Sequence, residues 1–538
     1  MTDIAWWRDA VIYQIYPRSY ADSDGDGYGD LPGITSRLDH LVDLGVDAVW
    51  LSPFYKSPMK DAGYDVEDYQ QIDPLFGTLA DAEELLRQCH ARELKVIVDL
   101  VPNHTSSEHE LFRKAVAAGP GSSERELYHF LDGKGAGGEE PPNNWKSIMG
   151  GRAWTRLVGP DGEPEQWYLH LFDSTQPDLN WDHEDVRAMF DDVLRFWLDR
   201  GVDGFRVDVA HSLVKAPGLP DDDEEQRMLS GLAGPMWDQD GVHEVYRRWR
   251  RILEEYEPER ILVAEAWVGD PERLALYLRP DEMHTAFNFD FLASPWDADE
   301  YRRRITDSMS ADRSVGAPTT WVLTNHDTVR HVSRLGRAEE PGRHREGIGP
   351  EHKQPDNELG LRRARAATLM SLALPGSAYL YQGEELGLPE HTTLPHEYRQ
   401  DPTWFQSKGG EVGRDGCRVP MAWEADAPAL GFSPTGESWL PQPESYRELS
   451  VDRQVGVESS TLTMYKRALE LRRELGLGRS DLSWRDLGEG VVAFENAGVL
   501  CVVNVSGDPV EIPDGREVLI SSEPLSGAIP RDAAAWLR

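Results

Sequence analysis

GFRVDVAH, residues 204–211, is the stretch on which the fold turns. It is apolar up to Val207 except for Arg206, and it stops at Asp208. Side chains alternate across a strand, so Arg206 and Asp208 share one face. A buried strand has no packing reason to end on a carboxylate unless its end opens into a polar site. Three other stretches are built the same way: DLVPNH (99–104), ILVAEAW (261–267) with Glu265 after the apolar run, and VLTNHD (322–327) ending on Asp327. The economical reading is one shared pocket at the C-terminal ends of four strands.

Working outward, strand-like runs occur at 10–17, 46–53, 95–102, 201–209, 260–267, 284–291, 319–327 and 377–385. They are continuously apolar rather than alternating, as parallel strands covered on both faces are. Between them, Val186, Met189, Phe190, Val193, Leu194, Trp197 and Leu198 follow steps of three and four and form one helical stripe. Thr78 with Asp81 predicts a capping box ahead of a helix that buries Ala82, Leu85, Leu86 and Cys89. Residues 461–475 predict the last helix. The expectation is an α/β protein: a (β/α)8 TIM barrel with an inserted subdomain after strand 3 and a C-terminal all-β domain, active residues lying on the loops after the strands.

Two interruptions set the domain bounds. Residues 105–195, rich in Gly, Pro, Asn and Trp, are too long for a simple connection and read as helical only at their end. The barrel's first part is therefore placed at 1–104, the insert at 105–175 and the barrel's second part at 176–480. An irregular stretch occupies about 388–455, and short strands make a separate β domain over 481–538.

The chain has 538 residues, with 56 Lys+Arg against 95 Asp+Glu and a net charge of −39. That field repels phosphate backbones and anionic lipid, so neither nucleic acid nor a membrane surface is expected as a partner. Cys89, Cys417 and Cys501 are too few and too scattered for a disulfide framework. With no signal-like N-terminus and no long apolar run, the expectation is a cytoplasmic monomer or homodimer.

Arginine beside a carboxylate holds it ionised and aims it, which suits Asp208 as a nucleophile on a sugar's anomeric carbon. A structural Arg–Asp pair is the plain alternative. Glu265 lies among apolar and aromatic neighbours, where a carboxyl keeps its proton and acts as general acid. Asp327 offers a third carboxylate for sugar hydroxyls. His104, His326 and His211 supply hydrogen-bonding groups, and none has the short-range spacing of a metal site. Retaining glycosidases need their two carboxyls about 5–5.5 Å apart, and neighbouring strands lie about 4.8 Å apart. Asp208 and Glu265, at the ends of the fourth and fifth strands, meet that demand.

The ordered set DLVPNH, QPDLN (176–180), GFRVDVAH, AEAW, LTNHD and GSAYLYQGEELG (376–387), together with QIYPRSY near the start, resembles glycoside hydrolase family 13, the α-amylase family. Within it the chain resembles the α-glucosidase and oligo-1,6-glucosidase branch over essentially its whole length. The resemblance implies Asp208 as nucleophile, Glu265 as acid/base and Asp327 as transition-state stabiliser. Arg206, His104 and His326 would line the sugar subsite, and Asp61 and Tyr64 of DAGY would hold the non-reducing glucose. Arg414 would pair with Asp61 to close the pocket, and Phe172 would form a wall. The implied activity is retaining, exo-acting hydrolysis of terminal α-linked glucose from small oligosaccharides, with transglucosylation. A strict oligo-1,6-glucosidase, a trehalose synthase or a sucrose-cleaving relative is the alternative, and a dead scaffold protein would lack the acids. Val209 after the nucleophile resembles α-1,6-accepting enzymes, while VDVAHSLVK resembles broad α-glucosidases, so the linkage stays open. Relatives carry a Phe where NNWKSIMGG has Ile148 and Met149, implying a less aromatic aglycone side.

DSDGDGYGD (22–30) places Asp22, Asp24, Asp26 and Asp30 at alternate positions, offering oxygen ligands to one cation with Gly27 turning the chain. The EF-hand's bidentate Glu position is Gly33 here, so this is no true EF-hand. The branch it resembles holds one structural Ca2+ or Mg2+ at this loop, with a carbonyl from Tyr28.

Overall fold

Eight short strands make one parallel sheet: β1 (Val11–Ile15), β2 (Ala48–Leu51), β3 (Lys95–Leu100), β4 (Gly204–Val207), β5 (Ile261–Ala264), β6 (Thr285–Ala286), β7 (Thr320–Val322) and β8 (Ser377–Tyr381). Their hydrogen-bonded order is β6-β5-β4-β3-β2-β1-β8-β7, every pairing parallel. This circular succession is a (β/α)8 barrel. The structure is a computed structural model describing residues 5–159, 161–222, 234–337 and 347–538. Among them no ladder joins β6 to β7, where Phe291 and Trp321 instead meet edge to face at 5.0 Å.

Alternation along the strands builds two cores. Val11, Tyr13, Val96, Val98, Phe205 and Val207 pack outward in one cluster with the helix faces, including Val186, Phe190 and Trp197. Ile12, Trp50, Ile97, Val263, Val322 and Tyr379 fill the barrel interior, and that cluster continues into Trp145, Met149 and Trp167 of the insert. Two residues beyond Ile97 is Asp99, and two beyond Val263 is Glu265. The period of two therefore carries both acids onto the interior face.

The sixth predicted run, 284–291, is a strand only over Thr285–Ala286. Asn288 Oδ1 accepts the Phe291 N–H at 2.9 Å and caps a short helix, Phe289–Leu292, which ends the strand. The insert departs from expectation too. It holds a helix near its start, Glu110–Ala118, capped by His109 and burying Phe112 and Ala115. A two-residue apolar stripe is too short a signal to read from sequence. Its strands Phe130–Leu131, Trp154–Val158 and Pro164–Leu169 form a small antiparallel sheet.

The helix Thr461–Leu475 covers the predicted span. Beyond it, strands from Leu482–Arg485 to Ala533–Leu537 form a five-stranded antiparallel sheet. Trp536 docks that sheet on the barrel, its indole N–H donating to Leu369 O at 2.9 Å. Among the described residues no helix is long and apolar enough to cross a membrane.

Helix Leu79–His90 starts on the predicted capping box: the Thr78 hydroxyl accepts the Asp81 N–H and the Asp81 carboxylate accepts the Thr78 N–H. Replacing Thr78 with Ala should destabilise the fold by about 1 kcal/mol, read as a lower urea midpoint with an unchanged slope.

Candidate active site

Register pairs Val207 with Ala264, so the next residues, Asp208 and Glu265, stand side by side at the barrel mouth. Between them lies Arg206, 1% exposed. Its Nη1 donates to Asp99 Oδ1 at 2.7 Å and to Asp208 Oδ1 at 2.6 Å, and Nη2 pairs with Glu265 Oε2 at 2.7 Å. Glu265 Oε2 also accepts the Val209 N–H at 3.0 Å, while Oε1 accepts the Trp267 indole N–H at 2.9 Å. The Trp267 ring lies flat on Phe289, centroids 3.6 Å apart. Val209 has φ +44°, a costly conformation for a β-branched residue and a mark of a backbone held for function.

One guanidinium faces three buried carboxylates, and that imbalance governs their protonation. Burial pushes Asp99 up to about 7 against the pull of Arg206. Asp208 is pushed well above the usual carboxylate range, first by burial and then by repulsion from Glu265 and Asp99, with Arg206 opposing. The expected pull of Arg206 towards an ionised Asp208 is present, and burial and the two neighbouring acids oppose it. A single cation cannot balance three charges out of water, so the charge on each acid depends on its neighbours.

The opposite wall is built on the β7 loop. Asp327 Oδ1 accepts Arg414 Nη1 at 2.8 Å and Arg418 Nη2 at 2.9 Å. His326 Nε2 lies 3.3 Å from Asp327 Oδ2 and 2.7 Å from the Tyr64 hydroxyl. Its Nδ1 lies 2.7 Å from the Gln14 amide nitrogen, which can only donate. His326 therefore accepts at Nδ1 and carries its proton on Nε2, and the Tyr64 hydroxyl donates a hydrogen bond to Asp99 Oδ2 at 3.0 Å. Burial holds His326 neutral, with a pKa lowered to about 3.

Asp61 joins both walls. Its Oδ1 accepts Arg414 Nη2 at 3.0 Å and its Oδ2 accepts Gln176 Nε2 at 3.2 Å. Gln176 also touches His104 Nε2 at 3.1 Å, and Phe172 packs on the His104 ring at 5.2 Å. The structure thus brings Asp61, Tyr64, His104, Phe172, Arg206, Asp208, Glu265, His326, Asp327 and Arg414 together. His211 sits behind them, its ring stacked on Trp237 at 5.2 Å. Sequence reasoning assigned no role to Asp99, Gln176, Gln14, Arg418 or Asp401. The first three lie inside motifs it quoted, and Asp99 obeys the same two-residue step as Glu265; Asp401 carries no local signal.

Geometry and comparison point the same way. The sequence model of the Alpha-amylase family, alpha amylase catalytic domain, matches residues 14–477. The chain belongs to the alpha-amylase family. It is 36% identical to a probable alpha-glucosidase of Rhizobium meliloti, covering 98% of this chain and 93% of that protein. It is 35% identical to an oligo-1,6-glucosidase of Parageobacillus thermoglucosidasius, covering 87% and 84%. The crystal structure of the alpha-glucosyl transfer enzyme XgtA superposes with a TM-score of 0.85 at 35% identity, covering 99% of each chain.

In this family member the acidic loop converges only in part. Oxygens of Asp22, Asp24 and Asp30 lie within 4.8 Å of one another. Asp26 is not in that group: its carboxylate accepts the Tyr28 N–H at 2.8 Å, as its position two residues before that amide allows. Three carboxylates are a hard-oxygen donor set that suits Ca2+ or Mg2+.

The neutral His326 has a pH signature. Its folded pKa lies below its unfolded value, so the unfolded chain binds the extra proton between about pH 3 and 6.5. The stabilisation is complete above pH 6.5 and is lost as pH falls towards 3. In urea unfolding, wild type should lose stability on acidification more steeply than His326→Asn, by up to about 1.4 kcal/mol per pH unit.

Proposed function

We propose that this protein is a retaining, exo-acting α-glucosidase that removes terminal non-reducing α-linked glucose from short oligosaccharides. The observation carrying the proposal is Asp208 and Glu265 on adjacent strands, bonded to the two terminal nitrogens of one arginine. Placement on adjacent strands and on one guanidinium supports a retaining pair, whose carboxyl groups lie about 5–5.5 Å apart, over an inverting pair, which is set wider to admit water.

In the reacting form Asp208 is ionised and the proton sits on Glu265: the Asp208 carboxylate forms a bond to the glucose C1 as the C1–O glycosidic bond breaks, and Glu265 gives its proton to the leaving oxygen. The product of this first step is a glucosyl ester on Asp208. Glu265, now a carboxylate, then takes a proton from water, whose oxygen attacks C1 and releases Asp208. Asp327, with His326 and His104, binds the sugar hydroxyls during both steps. The Arg414–Asp61 ion pair at 3.0 Å forms the back of the pocket and supports removal of single units rather than internal cuts. A sugar hydroxyl in place of water gives transglucosylation, a reading supported by the likeness to an alpha-glucosyl transfer enzyme. We place the protein in the cytoplasm, which suits its three free, buried cysteines.

Asp208→Asn should lower glucose release from p-nitrophenyl α-glucoside by at least about 10⁴-fold with the fold intact. Turnover within tenfold of wild type rules out the assigned nucleophile.

We also propose one structural divalent cation at Asp22, Asp24 and Asp30. Excess EDTA should lower the unfolding temperature and added Ca2+ or Mg2+ should restore it; an unchanged temperature in chelator excludes a contribution to stability.

A further inference from the structure

The stretch between Gln400 and Arg418 has no regular periodicity, yet it is locked by two buried aspartates that hold each other's backbone. Asp401 is 1% exposed. Its Oδ1 accepts the Thr403 N–H at 2.8 Å and caps the helix Pro402–Gln406. Its Oδ2 accepts both the backbone N–H of Arg414 at 2.9 Å and the Arg414 Nε–H at 2.6 Å. In return, Asp415 Oδ2 accepts the backbone N–H groups of Gln400 at 3.0 Å and Asp401 at 3.1 Å. The approach is close enough to require glycine. At Gly413, φ +69°, a Cβ would lie 2.7 Å from Asp401 side-chain atoms.

The lock reaches the glucose pocket through one side chain. A guanidinium is a rigid planar fork, so anchoring Nε fixes where both terminal nitrogens point. With Nε on Asp401, Arg414 presents Nη1 to Asp327 at 2.8 Å and Nη2 to Asp61 at 3.0 Å. The lock is also tied at both edges. Gln400 accepts Arg18 Nη2 at 2.8 Å, and Gln406, at the end of the capped helix, donates to Asp173 beside Phe172. The charges of Arg414 and Arg418, with Arg414's two hydrogen bonds, hold the Asp401 carboxyl far below the usual range, against the push of burial. Asp401 thus stays a charged acceptor across the working pH range.

We propose that Asp401 is a positioning residue: by fixing Arg414 at Nε it sets the distance between Asp61 and Asp327 and with it the pocket's grip on the terminal glucose. The proposal rests on the glucosidase reading above. Asp401→Asn keeps one oxygen, enough for the Thr403 N–H or the Arg414 N–H but not both, and removes the negative charge that faces Arg414. It should raise KM for p-nitrophenyl α-glucoside and the inhibition constant of glucose by about tenfold or more, the loss expected for a charge-assisted hydrogen bond. The fall in kcat should be smaller, and Asp401→Glu should recover part of the affinity. On an Arg414→Lys background the same Asn substitution should add less than half its effect, since both changes act through one contact. KM and glucose inhibition within twofold of wild type overturn the proposal, as does full additivity with Arg414→Lys. An Asn variant that does not fold also overturns it, because a positioning contact leaves the fold standing. If instead the wild-type protein releases no glucose from any α-glucoside, the glucosidase reading fails. Calorimetric binding of glucose to wild type and Asp401→Asn then still decides the role of Asp401.

Discussion

Arg206 is the constraint on which the site depends. It sits at the top of the barrel interior and joins three acids from three neighbouring strands in one plane of hydrogen bonds. Removing such charges from water costs several kcal/mol each, and the cost is offset only where geometry satisfies every partner. Here the acids are satisfied collectively, while Arg206 Nε is buried without a partner. Asp99 takes the Tyr64 hydroxyl and the Trp50 indole as further donors, and Glu265 takes the Val209 amide and the Trp267 indole. Losing the arginine would leave three buried carboxylates repelling one another, so the same contact that aims the reacting groups makes their burial possible.

The barrel makes this arrangement reachable with ordinary parts. Parallel pairing puts β3, β4 and β5 side by side, and the two-residue period carries Asp99, Arg206, Asp208 and Glu265 onto the inner face. The interior below them is packed with Ile97, Trp50, Val263 and Tyr379, which excludes water and strengthens each charge–charge contact. From the other side, the loops after β7 and β8 bring Asp327 and Arg414 across the mouth. Two arginine-centred groups therefore face each other, one around the reacting acids and one around the sugar-holding acids. The neutral His326 and the Tyr64 hydroxyl connect them.

The parts legible in the sequence are those where a residue breaks the pattern of its own strand. The strand runs were readable because burial on both faces leaves them continuously apolar, and Asp208, Glu265 and Asp327 stood out as charges that packing does not explain. Asp99 breaks its run in the same way, but its task became clear only from the register with β4. Asp401 was not legible at all: its partner is thirteen residues away along an irregular stretch, and no period links the two. The helix Glu110–Ala118 was missed because only Phe112 and Ala115 are buried. Asp26, expected beside Asp22, Asp24 and Asp30, lies outside the group whose oxygens come within 4.8 Å of one another, because alternate spacing along a loop does not decide which carboxylates converge.

The most direct measurement of the central claim is proton NMR of the first glucose released from p-nitrophenyl α-glucoside, recorded before mutarotation. Two carboxylates held by one guanidinium on adjacent strands require double displacement, so the new sugar must appear as the α-anomer and drift towards equilibrium. Initial release of the β-anomer would show single displacement by water, and the account built on Arg206, Asp208 and Glu265 would be wrong.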